Sequence, residues 1–287
     1  MNVIGYWLRA ASSYGGKQIN RLKKAIKMAK TEKKLNIKQG HWILAKLGKR
    51  VLRPGGIELT DKMIESLKIS NKDDVVEFAP GLGLTAKKTC SFSPKSYTAV
   101  EINEEAANIV RKRVKYDKMR LILANAMEST LPDSCADKVY CEAMLTMQSN
   151  KNKGVIISEA ARILRPGGYY AIHEICLIPD DVSETLKKEI YRDLADTIQV
   201  NARPITIPEW KELFAKAGLE VVSYNMNNMH LLELKRIIND EGVFRTIKIA
   251  FNILTHPAMR KRVLGMRRIF RKYEDSLRSI TILTKKM

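Results

Sequence analysis

The stretch DVVEFAPGLGLTA, residues 74–86, decides the fold of this 287-residue chain. Its first six residues, four of them apolar, predict a buried strand, and the Pro-Gly pair after them predicts a turn. The segment from Gly81 to Ala86 fits the pattern G-x-G-x-x-G/A, which opens a helix after a strand in nucleotide-binding folds. Glu101 ends the next apolar run, where a carboxylate can accept hydrogen bonds from ribose hydroxyls. Together these features predict a site for an adenosine-containing cofactor.

Strand and helix patterns alternate on both sides of this stretch. Strand patterns lie at 74–79, 97–102, 119–125, 137–144, 169–175, 220–226 and 279–285. Amphipathic helical patterns separate the early strands, as in βαβ units. The chain is therefore predicted to be an α/β protein with a doubly wound, Rossmann-like and mostly parallel sheet.

The formal net charge of +20 is concentrated at the two ends of the chain. Residues 1–60 hold 14 basic and 2 acidic side chains, and residues 230–287 hold 14 and 5. The stretch between them keeps 23 basic and 24 acidic side chains, so its net charge is −1. We divide the chain into a basic N-terminal helical extension (1–57), a cofactor-binding core (58–229), a basic helical insertion (230–278) and a last core strand (279–287).

Composition excludes several classes of protein. Apolar residues at 45% and charged residues at 29% are typical of a globular chain and not of a disordered one. No apolar run is long enough to span a membrane, and the first apolar residues are too few for a secretory signal. The four cysteines show no metal-ligand spacing, so we expect buried thiols, no metal and a cytoplasmic location: Cys90, Cys135, Cys141 and Cys176.

Residues 76–83 resemble motif I of class I S-adenosylmethionine-dependent methyltransferases, most closely the ubiquinone/menaquinone-biosynthesis (type 11) subgroup. Later landmarks agree in order, although Asn125 stands where the family usually has Asp. These landmarks are Glu101, Asn125-Ala126-Met127, Leu131-Pro132-Asp133, Asp137 and the RPGG turn at 165–168. The resemblance covers roughly 58–226. It implies a seven-stranded sheet in the order 3-2-1-4-5-7-6. The pattern along the chain places the helical insertion between the last two strands.

The resemblance implies S-adenosylmethionine as cofactor, and the residue types fit it. Glu77 is expected to meet the sulfonium cation or the ammonium group, directly or through water, whereas facing NAD it would repel the phosphates. Glu101 is expected to accept both ribose hydroxyls, and residues 125–127 to line the adenine. The predicted cofactor contacts are Glu77, Ala79, Gly81, Gly83, Glu101, Ile102, Asn125, Ala126, Met127 and Glu142.

Methyl transfer depends chiefly on the alignment of the methyl donor with the acceptor. It needs a general base only where the acceptor must lose a proton. The carboxyl ends of the fourth and fifth strands offer three candidates for such a catalytic group: Glu142, His173 and Glu174. His173 stands in an apolar strand, so a hydrogen-bonded core histidine is an equal interpretation. Cys141 lacks the preceding proline of cytosine-C5 nucleophiles and is interpreted as a buried thiol.

The insertion carries two apolar stripes, Val243/Ile247/Phe251/Leu254 and Val263/Met266/Ile269/Phe270, with arginines and lysines on their other faces. Three interpretations stay open. The insertion is a lid packed on the sheet, or it binds anionic lipid at the inner membrane surface, or it binds nucleic acid. Tyr6, Trp7 and Trp42 are candidate interfacial anchors for the lipid interpretation.

The sequence thus predicts a methyltransferase that uses S-adenosylmethionine and methylates a small-molecule or lipid-like acceptor by in-line displacement. A nucleic-acid methyltransferase, an NAD-dependent oxidoreductase and a non-catalytic binding protein are the alternatives.

Overall fold

The computed structural model describes residues 39–287. Of the basic extension, only residues 39–57 are therefore covered, and Tyr6 and Trp7 lie outside the described residues. Trp42 is half-buried on the first described helix, with its ring 4.9 Å from that of His41.

Helices and strands alternate as the sequence predicts. The strands are β1 (Asp74–Phe78), β2 (Ser96–Glu101), β3 (Met119–Leu123), β4 (Ala136–Glu142), β5 (Leu164–Leu177), β6 (Leu219–Asn228) and β7 (Leu277–Lys286). The helices before β5 are α1 (Gly40–Lys46), α2 (Gly56–Leu67), α3 (Leu84–Ser91), α4 (Glu104–Arg113) and α5 (Asn150–Ile163), with a 3₁₀ turn at Leu145–Met147. Those after β5 are α6 (Glu184–Ile198), α7 (Ile207–Lys216), α8 (Leu234–Glu241), α9 (Val243–Thr255) and α10 (Pro257–Lys272).

The seven strands form one sheet in the order β3-β2-β1-β4-β5-β7-β6, which confirms the predicted order. The first five strands are parallel to one another, while β7 runs antiparallel to both β5 and β6. Glu101 is in register with Leu123, and Glu142 with His173. The carboxyl ends of the parallel strands therefore meet at one edge, where open α/β sheets bind ligands.

The RPGG segment at 165–168 is a bulge inside β5 and not, as predicted, a turn in front of the strand. The β4–β5 register jumps from the Ala136–Leu164 pair to the Lys138–Tyr169 pair. The four residues therefore face a single position of β4, and Gly167 takes a φ of +77°, which favours glycine.

Apolar side chains cover both faces of the sheet. One face packs on α5 and α7 through residues such as Trp210 and Phe214, and the other packs on α2, α3 and α4 through residues such as Met63 and Val110. A third cluster joins α1, α6 and α10 to the ends of β5 and β7. No helix of the described residues is long and apolar enough to cross a membrane.

The two apolar stripes of the insertion behave differently. Val263, Met266 and Phe270 on α10 are buried in the third cluster, as expected for a packed lid. The stripe on α9, from Val243 to Leu254, points to solvent, so the lid interpretation, one of the three left open, does not describe this stripe. Thr246 and Ile249, between the stripe positions, occupy the buried side of α9.

Truncation of the central β7 residue Ile282 tests the packing of the sheet. Because Ile282 is buried between the helical layers, Ile282→Ala is expected to lower the free energy of unfolding by about 2–5 kcal/mol in urea titrations. The exposed strand residue Val222 is the control, and Val222→Ala should change stability by less than about 0.5 kcal/mol. Equal effects of the two substitutions would contradict the assigned register of β7.

Candidate functional site

The loop after β1 is bent by three residues with positive φ. These are Ala79 (+53°), Gly81 (+55°) and Gly83 (+69°). A Cβ on Gly83 would lie 3.3 Å from the Val110 side chain on α4, so glycine permits this close packing. A Cβ on Gly81 would meet nothing nearer than the Ala79 carbonyl oxygen at 4.0 Å, so the loop is open at Gly81. The non-glycine residue Ala79 is held by its N–H, which donates to the Val100 carbonyl at 2.8 Å.

Glu101 lies directly opposite the open part of this loop. The residue is only 5% exposed at the end of β2. Its Oε2 accepts from the Gly81 N–H at 3.3 Å, and its Oε1 accepts from the Asn103 N–H at 2.9 Å. Burial raises the pKa of the Glu101 carboxyl above its ordinary value. Each carboxylate oxygen keeps a lone pair for a further donor, which a ribose diol would supply.

Apolar side chains surround the ends of β2 and β3. Ile102 and Leu123 are both about half exposed, at 53% and 50%, and Met127 is half-buried beside Ala126. The Asn125 Oδ1 accepts from the Met127 N–H at 2.9 Å, which fixes the turn that carries these residues. Leu123, which pairs with Glu101 across the strands, is an addition to the predicted set. A planar base could stack against this surface.

The Glu77 side chain is surrounded by core residues, whereas the sequence predicts a contact with the cofactor. It is 2% exposed, and its Oε2 accepts from the Tyr97 and Tyr140 hydroxyls of the neighbouring strands. Burial, with a contribution from the nearby charge of Glu142, raises the pKa of Glu77 to about 7. The hydrogen bonds of this carboxylate therefore lie in the core, and they do not favour a direct contact with a cofactor cation. A contact through water, which the sequence also allows, stays a prediction.

Glu142, at the end of β4, is both hydrogen-bonded and ion-paired. It accepts from Thr60 Oγ1 at 2.6 Å, from His173 Nδ1 at 2.9 Å and from the Thr85 hydroxyl. The Arg53 Nε lies 3.3 Å from the same carboxylate. Burial alone would raise the pKa of Glu142, but Arg53 and His173 outweigh it and hold the pKa at about 2.

His173 is fully buried, and both of its ring nitrogens are in use. Nε2 accepts from the Gly55 N–H at 3.0 Å, so the ring proton must sit on Nδ1, where it is donated to Glu142. The ring therefore joins the loop around Gly55 to the end of β4.

Glu174 is buried under the 3₁₀ turn that follows β4. It accepts from the N–H groups of Met144, Leu145 and Thr146 at 2.7–3.0 Å and from the Thr146 hydroxyl at 2.6 Å. Its carboxylate thus anchors the donors of that turn. None of the three predicted base candidates is free, so a general base among Glu142, His173 and Glu174 stays a prediction that their hydrogen bonds do not favour.

The residues that cover the site lie outside the predicted set. Arg53, on the loop between α1 and α2, carries the cation next to Glu142. This loop is held by α8 of the insertion, because the Glu241 carboxylate accepts from the Arg50 and Val51 N–H groups at 2.6 and 2.7 Å. Asp240 accepts from the Ile57 N–H at 2.9 Å. These partners are more than 180 residues apart, so no local pattern could reveal them.

The four cysteines are unpaired, and Cys90, Cys141 and Cys176 are buried while Cys135 is half-buried. Cys141 lies against the Tyr170 hydroxyl at 3.2 Å, and burial raises the pKa of its thiol well above the ordinary value. A protonated, enclosed thiol is a poor nucleophile.

Comparison with known proteins places this site in context. A family described as "Methyltransferase domain" matches residues 76–172, which hold the loop, Glu101, Glu142 and the start of β5 up to Ile172. A Haemophilus influenzae protein described as uncharacterised is 32% identical over 86% of this chain and 98% of its own length. The fatty-acid O-methyltransferase of Mycolicibacterium smegmatis is 27% identical over 50% of this chain and 42% of its own length.

Among solved structures, geranyl diphosphate methyltransferase in complex with S-adenosylmethionine (SAM) superposes with a TM-score of 0.61. The match covers 80% of this chain and 85% of that one at 12% identity, so it concerns the fold.

The tautomer of His173 can be measured directly. Because Nε2 accepts from the Gly55 N–H, two-bond ¹H–¹⁵N spectra should show an imidazole protonated at Nδ1 only, in a protein whose His173 signals are assigned by a His173→Asn variant. An imidazole protonated at Nε2 only would contradict the hydrogen bonds assigned here.

The buried carboxyl of Glu77 should give the protein a distinct pH dependence. Its pKa in the folded protein, about 7, lies above the ordinary value of 4.5, so the native state holds the additional proton between these values and its stability falls as pH rises through them. Glu77→Gln removes this ionisation. Relative to wild type, the variant should therefore gain on the order of 2–3 kcal/mol in unfolding free energy between pH 5 and pH 8. The exposed-site control Glu220→Gln should show no such gain, and a pH-independent difference for Glu77→Gln would contradict the assignment.

Proposed function

The chain belongs to the class I, type 11 methyltransferase family, and from this premise we propose that it transfers the methyl group of SAM to a small-molecule or lipid-like acceptor. The observation that carries the proposal is the buried Glu101 carboxylate, set opposite the open loop at Gly81. A ribose that lies on this loop presents its two hydroxyls to a preformed acceptor.

The residues around Glu101 fit the rest of that cofactor. When bound, SAM supplies an electrophilic methyl group on a sulfonium cation. Ile102, Leu123 and Met127 offer apolar surface for the adenine, and Asn125 lies at the same edge. Glu142 is ionised, but the Arg53 cation beside it balances its charge, so Glu142 alone does not favour a cationic ligand over the pyrophosphate of NAD. In the core of the sheet, Glu77 on β1 accepts hydrogen bonds from Tyr97 on β2 and Tyr140 on β4, which holds these three strands together.

The acceptor side of the site is built for positioning. Glu142 is ionised and saturated by hydrogen-bond donors, and His173 and Glu174 have no free acceptor aimed at the site. In-line displacement at a methyl carbon is accelerated chiefly by holding nucleophile and donor in line. We infer that this chain orders its acceptor with the loop around Arg53 and with α2, and that it relies on an acceptor that is already nucleophilic near neutral pH.

The acceptor is proposed to be lipid-like or another small molecule that meets the enzyme in the cytoplasm. The name of the fatty-acid O-methyltransferase gives a carboxyl-bearing lipid as the substrate of that relative. A nucleic-acid acceptor is the alternative, and methyl transfer from labelled cofactor into RNA, with none into lipid extracts, would establish it in place of our proposal.

Removal of the Glu101 carboxylate is the test of the cofactor assignment. Glu101→Ala should weaken the binding of S-adenosylhomocysteine about 10- to 100-fold in calorimetry, since hydrogen bonds to a charged group contribute roughly 1.5–3 kcal/mol. The control Glu220→Ala removes an exposed carboxylate on β6 and should bind like wild type. Unchanged affinity in Glu101→Ala would refute the ribose assignment. Thermal stabilisation by NAD with none by S-adenosylhomocysteine would refute the proposed cofactor.

A further inference from the structure

The outward face of α9 is apolar and exposed. Five side chains on one arc of the helix are between 57% and 91% exposed: Val243, Phe244, Ile247, Phe251 and Leu254. Phe244 is the most exposed of them, at 91%. We call these five residues the α9 face. Contiguous exposed apolar side chains of this kind mark interaction surfaces.

The orientation of this face is fixed by the opposite side of the helix. Thr246 and Ile249 are buried, and the Asn252 Nδ2 donates to the Leu47 carbonyl at 2.9 Å. The helix therefore cannot bury the α9 face by rolling without breaking these contacts.

The sequence of α9 and α10 is strongly basic. Residues 243–272 contain nine lysines and arginines and no aspartate or glutamate. Arg267, Arg271 and Lys272 form ion pairs with carboxylates on neighbouring elements. Four others have no carboxylate within 4 Å among the residues the structure describes, namely Lys248, Arg260, Lys261 and Arg268.

We propose that the α9 face docks on an anionic lipid bilayer, with α9 lying in the plane of the interface. Helices with an apolar face and basic flanks bind there because the apolar side chains enter the acyl boundary while lysines and arginines meet anionic headgroups. Charge argues against two other occupants of this face, the N-terminal residues 1–38 and a second copy of the chain. Residues 1–38 hold ten basic and one acidic side chain, so they would be repelled by the basic flank of α9. A second copy of the chain would bring the same basic flank.

The α9 face is continuous with the cover of the site. α9 follows α8 directly, and Asp240 and Glu241 at the end of α8 hold the loop that carries Arg53. Docking would thus place the covered edge of the sheet next to the membrane, which suits the lipid-like acceptor proposed above. The docking itself does not depend on the proposed reaction.

Vesicle co-sedimentation of the full chain tests the proposal without cofactor or acceptor, so its outcome is independent of catalysis. The probes are vesicles of phosphatidylcholine alone and vesicles with about one third phosphatidylglycerol. The double variant Phe244→Ser/Phe251→Ser removes two side chains of the α9 face. Phe92→Ser/Val222→Ser is the matched control, because both residues are exposed elsewhere on the fold.

Wild type and control should bind the anionic vesicles and bind neutral vesicles much more weakly. The partition coefficient of the α9 double variant onto anionic vesicles should be at least about tenfold lower than that of wild type. Its circular dichroism spectrum and thermal midpoint should be unchanged. Lys248→Gln/Lys261→Gln should also weaken binding and reduce its sensitivity to salt.

Three results would overturn the proposal. One is equal wild-type binding to neutral and anionic vesicles, and another is equal anionic binding by the α9 double variant and its control. The third is no vesicle binding at all, together with a wild-type dimer that the double variant converts to a monomer, which would assign the face to a second copy.

Discussion

The rest of the site depends on the satisfaction of one buried carboxylate, that of Glu142. A buried anion is tolerated only when it is paired and hydrogen-bonded, and removing one partner of such a pair costs about 3–5 kcal/mol. Here the partners come from four separate elements: Thr60 on α2, Thr85 on α3, His173 on β5 and Arg53 on the loop before α2. The need to neutralise Glu142 therefore draws the cover of the site onto the end of the sheet.

The same constraint joins the two basic ends of the chain. His173 accepts from the Gly55 N–H, and the loop that holds Gly55 is tied in turn to Asp240 and Glu241 of the insertion. The described part of the extension and the insertion thus form one cover, although they lie about 190 residues apart in sequence. Part of the charge excess lies on this cover, which also carries the exposed α9 face.

The sequence predicts the local features well. The strands and the loop after β1 lie where the sequence predicts them, because both follow from apolar periodicity and glycine spacing within short windows. The family and the strand order are confirmed as well, but the order was implied by the family resemblance and not by these patterns. Glu101 meets the Gly81 N–H because the parallel register of β1 and β2 dictates it. Sequence patterns could not predict the surroundings of Glu77 or the outward orientation of the α9 face, because both depend on contacts between segments that are distant in sequence. An apolar stripe reveals a face, but not whether protein or solvent lies against it.

A crystal structure of the protein with S-adenosylhomocysteine is the most direct test of the central claim, that Glu101 and the loop at Gly81 form the cofactor site. We predict both ribose hydroxyls within hydrogen-bond distance of the Glu101 carboxylate and the adenine against Ile102 and Leu123. A ribose bound away from Glu101 would contradict the account, as would a complex in which the Glu101 carboxylate has turned away from the loop.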